Sequence, residues 1–208
     1  MEKDFKKILI INPYGIGDVL FTTPVIRSLK EKFPDAYIAY ICNTRVEPLL
    51  RQNELVDEVI VFEKEQMVTI LKKSKIEFFK KGWSFISFIR KKRFDLVIDY
   101  SLNFQFSLFT KLAGIKERIG LDRKRRGRFL TERIAFEGFS DKHVVDYYLS
   151  VLELIDVKSK RFPLELSLRK EDLKTADVVL KAKNIKPDED FCIAICPGGG
   201  QSWGRQAN

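Results

Sequence analysis

Histidine occurs once in these 208 residues and cysteine three times, at Cys42, Cys192 and Cys196. A structural zinc site needs about four ligands, which one imidazole and three scattered thiols do not supply. The odd thiol count excludes a disulfide framework, and two of the three lie in the apolar run Phe-Cys-Ile-Ala-Ile-Cys at 191–196. All three therefore read as buried thiols in a reducing compartment. No stretch approaches the ~18 consecutive apolar residues of a spanning helix, which leaves peripheral contact as the only membrane mode expected. The start, Met-Glu-Lys-Asp-Phe-Lys-Lys, carries acids where a secretory signal has only bases, and predicts a chain that stays inside the cell. Acids are also in deficit: 29 Asp and Glu against 38 Lys and Arg give a net charge of +9. That balance favours an anionic partner such as a nucleotide, a phosphorylated glycolipid, a membrane surface or nucleic acid.

What is present is an ordinary globular mixture, 45% hydrophobic and 32% charged, far from the composition of disordered chains. The runs 7–12, 36–42, 58–62 and 94–99 are apolar and of strand length. Between them lie helix-compatible stretches at 18–33, 46–52 and 71–93, and further helices are expected at 103–113, 142–155 and 173–182. Short apolar strands alternating with helices predict a parallel, doubly wound α/β sheet with its sites at the carboxyl ends of the strands. A linker is expected near 159–163, then a fresh buried strand at 191–196 that runs into Pro197-Gly-Gly-Gly200-Gln-Ser-Trp. A strand and loop without a following helix cannot cover their own faces. The expected division is a Rossmann-like domain over 1–160, with a linker and the first elements of an incomplete second domain over 161–208.

The loop after the first strand holds Gly15-Ile-Gly17-Asp18. Glycine permits close backbone approach, and a helix start offers free N–H groups to an anion. As a dinucleotide fingerprint the motif is incomplete: Leu20 occupies the third glycine position, and the second strand ends in Cys-Asn-Thr-Arg45 without an acid for a ribose. Arg45 keeps an NADP-type oxidoreductase in view, whereas the lack of Gly-Lys-Ser/Thr removes a P-loop. Asp18 has two readings at this point, a helix cap or dipole partner and a reactive carboxylate.

Residues 15–38, Gly-Ile-Gly-Asp-Val-Leu-Phe-Thr-Thr-Pro-Val-Ile-Arg-Ser-Leu-Lys-Glu-Lys-Phe-Pro-Asp-Ala-Tyr-Ile, closely resemble the opening of glycosyltransferase family 9, the ADP-heptose:lipopolysaccharide heptosyltransferases. Gly-x-Gly-Asp, Thr-Pro, Leu-Lys and Phe-Pro-x-Ala are in register. Weaker similarity continues at 94–99, at Arg118-Ile-Gly120, at 142–149 and at Pro197-Gly-Gly. The resemblance implies the N-terminal domain of a GT-B enzyme followed by the start of the second: two Rossmann-like domains, acceptor on the first, nucleotide-sugar donor mainly on the second. It implies Asp18 as the catalytic base of an inverting transfer that needs no metal or cofactor. It implies donor contacts at Gly15, Gly17, Gly198, Gly199, Gly200 and Ser202, and acceptor contacts at Thr22 and Thr23, expected to face the same cleft, whose other reading is ordinary polar residues of a first helical turn. In that family the donor site is completed by acidic and Gly-rich motifs of the second domain, which these 208 residues do not contain. The implied partners are ADP-heptose and a lipid-linked anionic glycan acceptor, met in the cytoplasm or at the inner face of its membrane. The non-catalytic alternative is a remnant that binds anionic glycan or nucleotide.

Two basic segments fit an acidic partner. Residues 116–133 contain Arg118, Arg123, Lys124, Arg125, Arg126, Arg128 and Arg133 against three acids, and guanidinium forks suit phosphates and carboxylates. The resemblance places Arg118, Arg123 and Arg126 toward the acceptor, together with His143, whose other reading is a helix cap. A solvated loop is the bland alternative. Nucleic acid is disfavoured because base-stacking aromatics are not interleaved there. Residues 71–93 combine lysines with Phe78, Phe79, Trp83, Phe85 and Phe88. That pattern suits either a packed helix with solvated lysines or a helix lying in an anionic membrane interface.

Overall fold

The computed structural model describes residues 3–158, 160–187, 189–193 and 195. The chain divides into two compact units, Met1–Ser167 and Leu168–Asn208. The first is built on six parallel strands: β1 (Lys7–Ile11), β2 (Tyr37–Cys42), β3 (Glu58–Val61), β4 (Leu96–Asp99), β5 (Glu117–Asp122) and β6 (Glu132–Ala135), in the spatial order β3-β2-β1-β4-β5-β6. The strand order reverses between β1 and β4, which opens a crevice at their carboxyl ends. Parallel strands need helical crossovers, so both faces are covered and the strands are continuously apolar. Ile8, Ile10, Ile38, Tyr40, Leu96 and Ile98 point into one core layer, while Leu9, Ile11, Ala39, Ile41 and Val97 point into the other.

The crossovers are α1 (Ile16–Leu20), α2 (Thr23–Lys32), α3 (Glu47–Leu50), α4 (Lys64–Lys73), α5 (Lys75–Lys92), α6 (Phe104–Leu112) and α7 (Val144–Ser150), the last continued by a 3-10 turn, Val151–Ile155. The single helix expected over 18–33 is two helices. Thr22 and Thr23 turn their hydroxyls back onto the carbonyls of Val19 and Leu20 at 2.7 and 2.8 Å, and Pro24 offers no N–H to continue the spiral. The stretch 71–93 likewise breaks at Ser74, whose side chain caps α5 by accepting from the Glu77 N–H.

Strands β5 and β6 are absent from the sequence reading. In β5 charge stands at both ends, and Gly120 interrupts its two core residues, Ile119 and Leu121. That glycine is forced by packing: a Cβ there would lie 2.3 Å from the Asp99 carbonyl oxygen of β4.

After the 3-10 turn the chain runs back along the first unit. The Glu165 N–H donates to Thr23 Oγ1 at 3.0 Å, and Arg27 pairs with the Glu165 carboxylate and lies over the Phe162 ring. The second unit contains α8 (Lys170–Ala182), started by a reciprocal Arg169–Asp172 capping box. The buried strand expected at 191–196 is not formed among the described residues. Phe191 is 92% exposed, and Cys192 is exposed, contrary to the buried thiol expected. Among the described residues no strand lies beside this run to give it a ladder, and a lone strand cannot bury itself. Cys42, within β2, is buried as expected, whereas Cys196 lies outside the described residues.

Candidate active site

The carboxyl ends of β1, β2 and β4 meet around the loop that carries Asp18. Asn12, fully buried at the end of β1, donates from Nδ2 to the Asp18 carbonyl at 3.2 Å and accepts the Tyr14 N–H. Asn43, just past β2, donates to the carbonyls of Pro13 and Tyr14 at 3.1 and 2.6 Å. The Tyr14 hydroxyl donates to the Ser101 carbonyl beyond β4. The loop is thus tied to three strand ends by side-chain bonds to backbone groups, and the Asp18 carboxylate takes no part in these ties. Asp18 is half-buried in the first turn of α1, where Oδ1 accepts from the Tyr148 hydroxyl at 3.4 Å.

Gly15 and Gly17 lie in the same loop and turn as that carboxylate. Gly15 has φ −76°, a conformation any residue adopts, and a Cβ there would meet Asp18 Oδ2 at 3.8 Å. A Cβ on Gly17 would meet nothing within 4 Å. Neither glycine is demanded by the chain's own packing.

Titration behaviour follows burial. Asp99, enclosed at the end of β4, is pushed up to about 6 by desolvation, against the pull of the Ser101 N–H that donates to it at 2.8 Å. Burial raises Tyr14, helped by the negative charges of Asp99 and Asp18 and opposed by Arg126 and Arg123. Burial also drives Tyr148 far up, with Asp18 adding to the effect. Tyr148 therefore stays a hydrogen-bond donor to Asp18 throughout the working pH range. Its ring packs against Tyr100, 4.7 Å between centroids, and the Tyr100 hydroxyl donates to the Tyr148 carbonyl.

The other residues named from sequence separate clearly. Arg123 and Arg126 lie in the exposed loop after β5, close enough to Tyr14 for their charge to act on it. That loop is braced by Asp122, which accepts the Gly127 N–H at 2.8 Å and pairs with Arg133, and it includes left-handed Lys124 and Arg125. His143 is exposed, caps α7 by accepting the Val145 N–H on Nδ1, and meets the Phe21 ring edge-on at 5.5 Å. Three residues expected at the acceptor are engaged within the fold. Thr22 is fully buried and shares a 2.6 Å bond with Tyr40, and Thr23 is buried between Leu20 and Glu165. Both hold the α1–α2 break rather than face a cleft. Arg118 stands at the opposite edge of the sheet, at the start of β5, with its guanidinium donating to the carbonyls of Phe129, Lys116 and Ile115. Five residues of strand, about 16 Å, separate it from Arg123. Gly198, Gly199, Gly200 and Ser202 lie outside the described residues.

Tyr14, Asp99 and Tyr148 are members of the cluster that sequence reasoning did not single out. Asp99 had a readable signal: a carboxylate closing an apolar strand on the sheet edge where doubly wound folds bind ligands. Among the described residues no group of three or more His, Cys, Asp or Glu side chains is placed to hold a metal ion.

The model of glycosyltransferase family 9 (heptosyltransferase) matches residues 83–202, more than half of the chain. The chain belongs to this family. It is 25% identical over 183 residues to lipopolysaccharide heptosyltransferase 3 of Escherichia coli K12, covering 87% of this chain and 51% of that protein. A glycosyltransferase of family 9 from Veillonella parvula shares the fold at a TM-score of 0.70 and 22% identity, covering 89% of this chain and 52% of that one. The E. coli heptosyltransferase WaaC, solved with ADP-2-deoxy-2-fluoro heptose, superposes with a TM-score of 0.65 at 16% identity, covering 76% of this chain and 51% of that one. The chain spans about half the length of the curated relatives it matches. Its sheet is the Rossmann-like α/β layer common to these structures.

Proposed function

We propose that this chain is the acceptor-side half of an inverting, metal-independent glycosyltransferase that moves a heptose from ADP-heptose to a lipopolysaccharide core or related anionic glycan. The observation that carries the reading is Asp18: a half-exposed carboxylate, held by its backbone on the open carboxyl edge, in a chain of family 9. In this mechanism Asp18 takes the proton of an acceptor hydroxyl as that oxygen bonds to the anomeric carbon. The bond to the ADP oxygen breaks on the opposite face, the diphosphate leaves with the electron pair, and the sugar passes through an oxocarbenium-like state. Tyr148, donating to Oδ1, leaves Oδ2 toward the substrate side and fixes the carboxylate plane. Gly15 and Gly17 keep side chains out of the space the donor sugar needs. Gly198, Gly199, Gly200 and Ser202 begin the donor's phosphate cradle, where backbone N–H groups and cationic side chains balance the leaving charge. Arg123, Arg126 and His143 receive the anionic acceptor. The work is done on the cytoplasmic side, where a lipid-linked acceptor is met at the inner membrane face.

The test is Asp18→Asn in the full polypeptide encoded by the source reading frame, assayed for heptose transfer with and without chelator. Loss of a positioned base costs about 10²–10⁴ in rate, and thermal stability is expected to be unchanged. Transfer within tenfold of wild type accompanied by a lower Tm assigns Asp18 to helix capping and overturns the mechanism. Binding of anionic glycan with no transfer in the wild-type chain favours the non-catalytic binding reading.

A further inference from the structure

We propose that the α4–α5 hairpin is a docking surface for an anionic phospholipid bilayer. Residues 64–93 hold ten Lys or Arg and two Glu, so this hairpin carries +8 of the chain's +9. Its apolar residues are not used up by the core. Of the 18 residues of α5 only Ile86 and Ile89 are buried, both in its second half, and α4 buries none. Ile76, Phe79 and Trp83 recur at i, i+3 and i+7 along the first half of α5 and are 70%, 70% and 60% exposed. That spacing sets them in one stripe. Lys72, Lys73, Lys75 and Lys80 stand beside it, and among the described residues none of these four forms an ion pair, whereas Lys81 meets Glu77 at 3.7 Å.

Length explains the exposure. An 18-residue helix is about 27 Å long, against roughly 13–20 Å for strands of four to six residues. The second half of α5 packs on the sheet and ends at the amino edge where β4 begins, so the first half outruns the carboxyl edge, the side that carries Asp18. A tryptophan and two apolar side chains ringed by lysines match the interface of an anionic bilayer: the rings enter the headgroup boundary and the ammonium groups meet phosphate. A second copy of this chain fits poorly, since it would set +8 against +8. The inference deepens the reading above, in which the acceptor is lipid-linked, but it is measured without donor, acceptor or turnover.

The experiment is co-sedimentation of the 208-residue chain with vesicles of phosphatidylcholine alone and of phosphatidylcholine with phosphatidylglycerol. A Trp203→Phe background makes Trp83 the sole reporter indole. Binding to the anionic vesicles alone, with a blue shift of Trp83 emission, is expected. Each lysine removed lowers the partition coefficient about fivefold, so Lys72→Gln, Lys73→Gln and Lys80→Gln together lower it about a hundredfold. Ile76→Ser, Phe79→Ser and Trp83→Ser together abolish the blue shift. All six residues are exposed, so far-ultraviolet circular dichroism stays that of the parent, and Asp18→Asn binds vesicles as the parent does. Equal binding to both vesicle types overturns the proposal, as does no binding to either, or a lysine variant that partitions like the parent. Two further results also overturn it: a dimer in ultracentrifugation that the serine variant dissolves, or nucleic acid competing the chain off vesicles at stoichiometric amounts.

Discussion

Replacing Asp99 by Asn should make the protein more stable at neutral pH while leaving it unchanged in acid. Asp99 is buried at the end of β4, and desolvation moves its carboxyl from 3.8 to about 6. In the unfolded chain the proton leaves near the ordinary value, so between roughly pH 4 and 6 the folded state binds more protons than the unfolded one. Stability therefore falls as pH rises through that window and levels off above it. A shift of about 2 units corresponds to about 3 kcal/mol of lost stability at pH 8. Asn carries no charge to desolvate, and its Oδ1 still accepts the Ser101 N–H that Asp99 holds at 2.8 Å. Urea denaturation of both proteins from pH 4 to 8 measures the difference. The two stabilities should coincide near pH 4 and diverge to about 3 kcal/mol in favour of Asn by pH 8. Curves that stay parallel across the range would refute the claim that desolvation of Asp99 outweighs its bond from the Ser101 N–H.

Two other expectations concern the same sheet. Gly120→Ala puts a Cβ 2.3 Å from the Asp99 carbonyl oxygen, so β4 and β5 must separate; a loss of about 1–3 kcal/mol or more in chemical denaturation is expected, and a change under 0.5 kcal/mol would mean that the strands part freely. Among the described thiols, a maleimide should label exposed Cys192 at once and leave Cys42 untouched until denaturant is added, because Cys42 is buried in β2 and desolvation pushes its thiol up to about 12; equal rates for the two would place β2 in an open conformation.

Strands β1 to β4 were legible because parallel strands covered on both faces leave uninterrupted apolar runs, such as Lys-Ile-Leu-Ile-Ile at β1. The pattern fails at β5 and β6, where Glu, Arg and Asp at the ends and a glycine forced by a neighbouring carbonyl hide the strands within a basic segment. Asp18 stood out through the Gly-x-Gly-Asp loop after β1 and the family resemblance, and Arg123 and Arg126 through the density of arginine in 116–133 rather than through the strand before them. For Thr22 and Arg118 the sequence shows a hydroxyl near the first loop and a guanidinium in a basic run, but their partners, Tyr40 and the Phe129 carbonyl, are set by tertiary packing. Tyr148 is 130 residues from Asp18 in sequence, a separation no local pattern bridges.

The two outermost strands of the sheet, β3 and β6, are only four residues long. Each also carries charge: Glu58 of β3 is bonded by Tyr37 and Lys92, and Glu132 and Arg133 of β6 are paired with Lys3 and Asp122. A bare strand margin is a template on which a foreign strand can lengthen the ladder. Here an incoming chain would find few free amides and would have to break ion pairs to reach them. This sheet thus closes both of its margins against further strands, which guards it from edge-to-edge polymerisation.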